Sequence, residues 1–102
     1  MASITIQDCI GFEWDTWNLD KNRLKHHVSS AECEQMFFNQ PLLLYKDVKH
    51  SEQEERQYAL GTTDQERPLF IVFTIRNKLI RVISARDMSK KERAIYENHT
   101  NF

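Results

Sequence analysis

Residues 69–86 read Leu-Phe-Ile-Val-Phe-Thr-Ile-Arg-Asn-Lys-Leu-Ile-Arg-Val-Ile-Ser-Ala-Arg. Two runs rich in β-branched and aromatic residues, Leu69–Arg76 and Leu79–Arg86, are separated by Asn77 and Lys78. The stretch therefore predicts a β-hairpin with a two-residue turn. In that register Thr74 faces Arg81 and Val72 faces Ile83. One face then carries Leu69, Ile71, Phe73, Ile75, Ile80 and Val82 and needs helices to cover it. The other face mixes Phe70 and Val72 with Thr74, Arg76 and Arg81, which places cations on a partly open sheet surface.

Working outward, Leu42–Val48 and Gln57–Thr62 have the same β-branched and aromatic bias and read as two further strands. Near the N-terminus Ile10, Phe12 and Trp14 alternate with Gly11, Glu13 and Asp15, the period of a short strand. Asp15 or Thr16 then caps a helix over Trp17–His27. Ser29 with Glu32 forms a capping box that opens a second helix, whose Cys33, Met36 and Phe37 make one apolar stripe before Pro41 ends it. Ser89 with Glu92 repeats the capping box and starts a terminal helix through Lys91, Ala94, Ile95 and Tyr96. The expected fold is α+β, ordered β-α-α-β-β-β-β-α, with an antiparallel sheet packed by helices mainly on one face. Trp14, Trp17, Phe37, Phe38, Phe70 and Phe73 are assigned to the core.

The chain has 102 residues, 40% apolar and 28% charged with mixed signs, enough for the modest core of one domain spanning residues 1–102. That composition excludes the low-hydrophobicity class of disordered chains. The longest apolar runs, Leu42–Tyr45 and Leu69–Phe73, fall far short of the ~20 residues that cross a bilayer. Residues 1–10 have no Lys or Arg and no cleavable apolar block, so a cytoplasmic protein without membrane contact is expected. Cys9 and Cys33 fit neither a disulfide framework nor a zinc knuckle and read as small hydrophobes. The net charge of −1 hides an asymmetry: residues 67–102 hold 8 basic and 3 acidic residues, a sign of block that attracts anions such as nucleic-acid phosphate.

At this point the sequence resembles the BrnT toxins of type II toxin–antitoxin systems, small ribonucleases with a RelE-like fold. The resemblance is carried by Phe12-Glu13-Trp14-Asp15, Asn22, Lys25-His26, Val28-Ser29, Phe37, Pro41, Ser51, Glu54, Arg56 and Gly61. It is completed by Arg81-Val82-Ile83-Ser84-Ala85-Arg86 and by Glu92-Arg93 with Tyr96. Three positions depart from the pattern: His27 replaces a usual Gly, Gln40 a usual Asp, and Met88 a usual Ala. A Gly at position 27 would end the first helix in a left-handed turn, which His tolerates less well.

The resemblance implies an endoribonuclease that leans on Arg and Lys electrostatics and on in-line placement of the 2′-oxygen. Under that reading Arg56, Arg81 and Arg86 are the candidate catalytic cations, and His50 or Glu54 the candidate base. Arg81 sits mid-strand among apolar neighbours, so it either pairs with an acid or lines a site. Arg86 has a structural alternative in a salt bridge to Asp87 or Glu92, Arg56 one with Glu54 or Glu55, and His26 reads as structural. Arg76, Lys90, Lys91 and Arg93 are candidate RNA contacts. Tyr45 and Tyr58 are candidates for stacking on a base. No HExxH motif, Cys pair or acidic-His cluster at ligand spacing occurs, so neither a metal nor another cofactor is expected. The resemblance also implies a BrnA-like antitoxin with a ribbon-helix-helix DNA-binding part in a two-plus-two complex, with DNA reached only through that partner. Two rival readings remain: a nucleic-acid-binding module without catalysis, and a protein-interaction adaptor using the acidic 47–66 segment and the basic C-terminal third.

Overall fold

The structure, a computed structural model, describes residues 6–14, 26–47, 49 and 54–100. Of the expected first helix, Trp17–His27, residues 17–25 lie outside the described residues and His26 and His27 lie within them; the candidate base His50 also lies outside. Strands β1 (Gly11–Glu13), β2 (Leu43–Lys46), β3 (Arg56–Thr62), β4 (Pro68–Arg76) and β5 (Leu79–Asp87) form a sheet in the order β1-β5-β4-β3-β2. Helix α1 (Ser30–Phe38) precedes β2, and helix α2 (Lys90–Thr100) follows β5.

The β4–β5 hairpin turns at Asn77 and Lys78, whose φ values of 52° and 62° meet the positive-φ requirement of a type I′ turn. Thr74 pairs with Arg81 as the sequence predicts. Further from the turn the register departs from the expected one: Phe73 faces Val82, but Val72 faces Ser84 rather than Ile83. Ile83 is the extra residue of a β-bulge, and a bulge reverses the face of every residue beyond it. Unbroken alternation would have put Ser84 and Arg86 on the side of Val82. Instead Ala85 joins the core, and Arg86 crosses to the face of Phe70 and Arg81.

Two further expectations are corrected. The sheet is mixed, because β1 runs parallel to β5 with Phe12 opposite Ile80 and Glu13 opposite Arg81. No short turn joins these strands, so their direction is free of the hairpin constraint and is set by packing. Nor do the helices share one face. Helix α1 covers one side: Cys33, Met36 and Phe37 pack with Val28 on Ala59, Leu69, Ile71, Phe73, Ile80, Val82 and Ala85. Helix α2 covers part of the other, where Met88 and Tyr96 pack on Leu60 beside Leu43, Tyr45, Phe70 and Ile95. The Tyr96 hydroxyl donates to the Pro41 carbonyl at 2.6 Å, tying α2 to the entry of β2. Of the aromatics assigned to the core, Phe37 and Phe73 are buried, Phe70 is half-buried, and Phe38 is 77% exposed.

Both capping boxes form. The Ser29 hydroxyl accepts from the Glu32 N–H at 3.2 Å while Glu32 accepts from the Ser29 N–H at 3.1 Å. Ser89 and Glu92 make the same exchange at 3.2 and 2.8 Å. Burial pushes the Cys33 thiol up to about 12, which suits a packing residue.

At Gly61 β3 comes close to α1. A Cβ there would stand 2.7 Å from Met36 Cγ and 3.2 Å from Leu42 Cδ1, and Met36 is fully buried with nowhere to withdraw. Gly61→Ala is therefore expected to destabilise by about 1–3 kcal/mol through overpacking. A thermal melt checks it: a variant melting at or above wild type would show that α1 has room to shift.

Candidate active site

Across β3, β4 and β5 the register sets Arg56, Thr74 and Arg81 side by side. Directly paired residues project from the same face, and strands lie about 4.8 Å apart, so two cationic residues flank a threonine at a Cα separation of about 10 Å. Thr74 is only 1% exposed, and its hydroxyl donates to the Glu55 carbonyl at 2.8 Å, which satisfies it. On the far side of Arg81, Glu13 of β1 brings a carboxylate oxygen to 3.6 Å from Arg81 Nη1. Two residues along β4, Arg76 Nε donates to Glu54 Oε2 at 3.0 Å. A cleft of about 140 Å³ lies at this end of the sheet, lined by Glu54, Glu55, Gln57, Thr74 and Ile75, of which Gln57 and Ile75 belong to the α1 side. The fold thus brings four of the expected residues, Arg56, Arg76, Arg81 and Glu54, to one end of one face. Glu13 joins them, which the sequence reading did not single out.

Arg86 lies elsewhere on that face. It is paired with Phe70, four residues from Thr74 along β4, a distance of about 13 Å. Its guanidinium carbon sits 4.1 Å from the Phe70 ring centroid. Its two terminal nitrogens donate to the two Glu92 oxygens at 2.8 and 2.9 Å, and Nη1 also donates to the Asp87 carbonyl. Burial alone would raise Glu92, but the bonds from Arg86 and Ser89 outweigh it and hold the carboxyl below its ordinary range. Arg86 therefore anchors the start of α2, where Lys90, Lys91 and Arg93 are exposed and extend the positive surface.

One organising residue was missed. Arg67, just before β4, donates through Nε and Nη2 to Asp87 at 2.7 and 3.2 Å, and through Nη1 to Glu32 at 2.9 Å. It also donates to the carbonyls of His27 at 2.9 Å and His26 at 3.3 Å. No signal in the local sequence marks it, because every partner is 20 or more positions away.

On the opposite face, a groove of about 850 Å³ runs along α1 and takes in Ile10, Phe12, Trp14, Phe37, Phe38 and Leu44. Among the described residues that line it, the one carboxylate is Glu34, which accepts from Trp14 Nε1 at 2.9 Å. The same described residues hold no cation for a phosphate.

Residues 14–92 match the family described as the ribonuclease toxin BrnT of type II toxin–antitoxin systems. The chain belongs to the BrnT family. No curated protein matches it. Among solved structures it is similar to the 1.1 Å crystal structure of the Brucella abortus ribonuclease toxin BrnT, with a TM-score of 0.61 and 20% sequence identity over 79% of this chain and 99% of that one. At that identity the likeness is one of fold: an α+β domain on a five-stranded mixed sheet.

Membership gives the BrnT residues a place in space. Glu13 and Arg81 meet on the cationic face, Glu92 with Ser89 and Arg86 fixes the start of α2, and Gly61 admits α1. His27, where the resemblance leads us to expect a glycine, adopts φ 56°, and its carbonyl accepts from Arg67. The left-handed turn is thus kept without the glycine.

Proposed function

We propose that this BrnT-family protein is a toxin with a RelE-like, single-domain fold that cuts RNA without a metal, by attack of a 2′-hydroxyl on the adjacent phosphate. The observation that supports the reading best is the line Arg56–Thr74–Arg81, with the Glu54–Arg76 pair at its rim. A phosphodiester laid over Thr74 has a guanidinium on each side to take the charge that grows on its non-bridging oxygens. The base, Glu54 or His50, takes the 2′-hydroxyl proton. The 2′-oxygen bonds to phosphorus, the bond to the 5′-oxygen breaks, and that oxygen takes up a proton. The products are a 2′,3′-cyclic phosphate and a 5′-hydroxyl end. Arg86, held by Glu92, works at the far end of the face and joins Lys90, Lys91 and Arg93 in binding the strand.

The test is RNA integrity after incubation with purified protein in EDTA. Cleavage leaving 2′,3′-cyclic phosphate ends is the expected outcome. Activity lost in EDTA and restored by magnesium overturns the mechanism, and RNA left intact at high protein concentration favours a binding module.

A toxin of a type II system is paired with an antitoxin. We take the partner to be a BrnA-like, ribbon-helix-helix protein in a two-plus-two complex that acts in the cytoplasm and touches DNA only through the antitoxin. The partner's carboxylates would meet the exposed Lys90, Lys91 and Arg93 at the start of α2, with Arg81 beside Glu13 further along the same face. Co-expression with the neighbouring gene product checks it, with co-purification and loss of cleavage expected.

A further inference from the structure

We propose that Tyr45, Tyr58 and Phe70 form a stacking platform for the bases of unpaired RNA; the proposal rests on the ribonuclease reading above and names the residues that hold the strand beside the cut. The three rings come from three adjacent strands, β2, β3 and β4, and lie on the face of Arg56 and Arg81. Tyr45 stacks on Tyr58 with centroids 5.1 Å apart and planes 20° from parallel. Tyr58 meets Phe70 diagonally across the strands at 5.4 Å and 32°. Arg86 caps the row over Phe70.

Tyr45 and Phe70 border the small core under α2, beside Leu60, Met88 and Tyr96, but three features set the row apart from a closed core. All three rings are half-buried, whereas Phe37 and Phe73 on the other face are buried. The Tyr45 and Tyr58 hydroxyls bond to no other described residue. Charge also fits a polyanion at both ends: Arg56 stands two residues from Tyr58 on the same side of β3, and Arg86 with the Lys90–Arg93 run closes the other end. Same-face residues two apart on a strand lie about 7 Å from each other, close to one nucleotide step. A phosphate held between Arg56 and Arg81 therefore brings the neighbouring base to this row, and the base stacks at its end on Tyr45 of the edge strand β2, since Tyr58 is already stacked between Tyr45 and Phe70.

Rings stack on any base through its π-face, so the platform selects unpaired strands and reads little sequence. A duplex keeps its base faces inside the helix and cannot use it.

The experiment binds wild-type protein to a labelled twelve-nucleotide strand, 2′-O-methylated against cleavage and carrying one 2-aminopurine, alone or annealed to its complement. Anisotropy should show at least tenfold tighter binding of the single strand, with 2-aminopurine fluorescence quenched by stacking. Tyr58→Leu and Tyr45→Leu, which keep apolar packing, should each weaken single-strand binding about tenfold, with Tyr58→Phe within about twofold of wild type. On cleavable RNA the Leu variants should raise KM more than they lower kcat. Binding without quenching, equal affinity for both RNAs, or Leu variants that melt and bind like wild type would overturn the platform. The quenching arm needs no variant, so a misfolded Leu variant leaves the proposal testable. Cleavage with binding unchanged in the Leu variants sinks the platform and leaves the nuclease; quenched binding with no cleavage of ordinary RNA sinks the nuclease and leaves the platform.

Discussion

Arg81→Ala is expected to cut RNA at least about 10²-fold more slowly than wild type, the loss that follows removal of one pre-organised charge donor. Arg81 is 22% exposed, lies beside Glu13, and faces Thr74 across the strand pair, so its guanidinium is held before substrate arrives. Its contact with Glu13 is long at 3.6 Å, and a partly exposed pair of that kind contributes about 1 kcal/mol or less to stability. The variant should therefore melt close to wild type while losing activity. Arg81→Lys should recover only part of the rate, since one ammonium cannot reproduce the planar fork. Arg86→Ala should also lose rate, but with a lower melting temperature, because it breaks the two-bond pair with Glu92 at the start of α2. A folded Arg81→Ala that cleaves a labelled RNA like wild type would move the active site elsewhere.

The second large effect falls on stability. Arg67→Met keeps much of the aliphatic stem but deletes five hydrogen bonds linking the β4 entry, the end of β5, the start of α1 and the His26–His27 turn. Some of the lost bonds are to carboxylates that solvent still reaches, so the expected cost is about 2–3 kcal/mol rather than the sum of five. For a domain of this size that lowers Tm by roughly 10–20 °C. The pH dependence gives a second readout. Bonds from Arg67 hold Asp87 below its ordinary range against a smaller opposing effect of burial. At Glu32 burial alone would raise the carboxyl, but bonds from Ser29 and Arg67 together lower it. A carboxyl lower in the folded than in the unfolded chain stabilises the fold above its unfolded value, and that stabilisation is lost as pH falls through the folded value. Wild type should thus lose stability on acidification below about pH 4.5, the ordinary value of Glu32. Arg67→Met should show a shallower acid limb. Equal Tm values at pH 7 and parallel acid limbs would show that Arg67 is a surface cation without a structural role.

The local signals in the chain were strong enough to place most elements. Asn77-Lys78 between two apolar runs specified a hairpin, Ser29 with Glu32 and Ser89 with Glu92 specified two helix starts, and period-2 alternation found β1. Each rests on residues within a few positions of one another, where turn and capping chemistry act without help from the rest of the chain. The same nearness let the sequence pair Thr74 with Arg81, and so put a cation on the candidate site.

What depends on distant parts of the chain was decided by the tertiary structure. The bulge at Ile83 carried Arg86 from the expected side of β5 to the face of Phe70, because packing Ala85 into the core outweighed the local alternation. The parallel β1, the placing of α2 against the face opposite α1, and the Arg67 clamp all join residues many positions apart. Direction, face and partner at such range are set by which surfaces bury and which charges meet once the chain is compact. The sequence by itself determined the kinds of element and the cations available for the site. Only the folded sheet decided that Arg56 and Arg81 flank Thr74 while Arg86 turns to Glu92, since a residue's neighbours across a sheet follow from register, and register is a property of the whole packed fold.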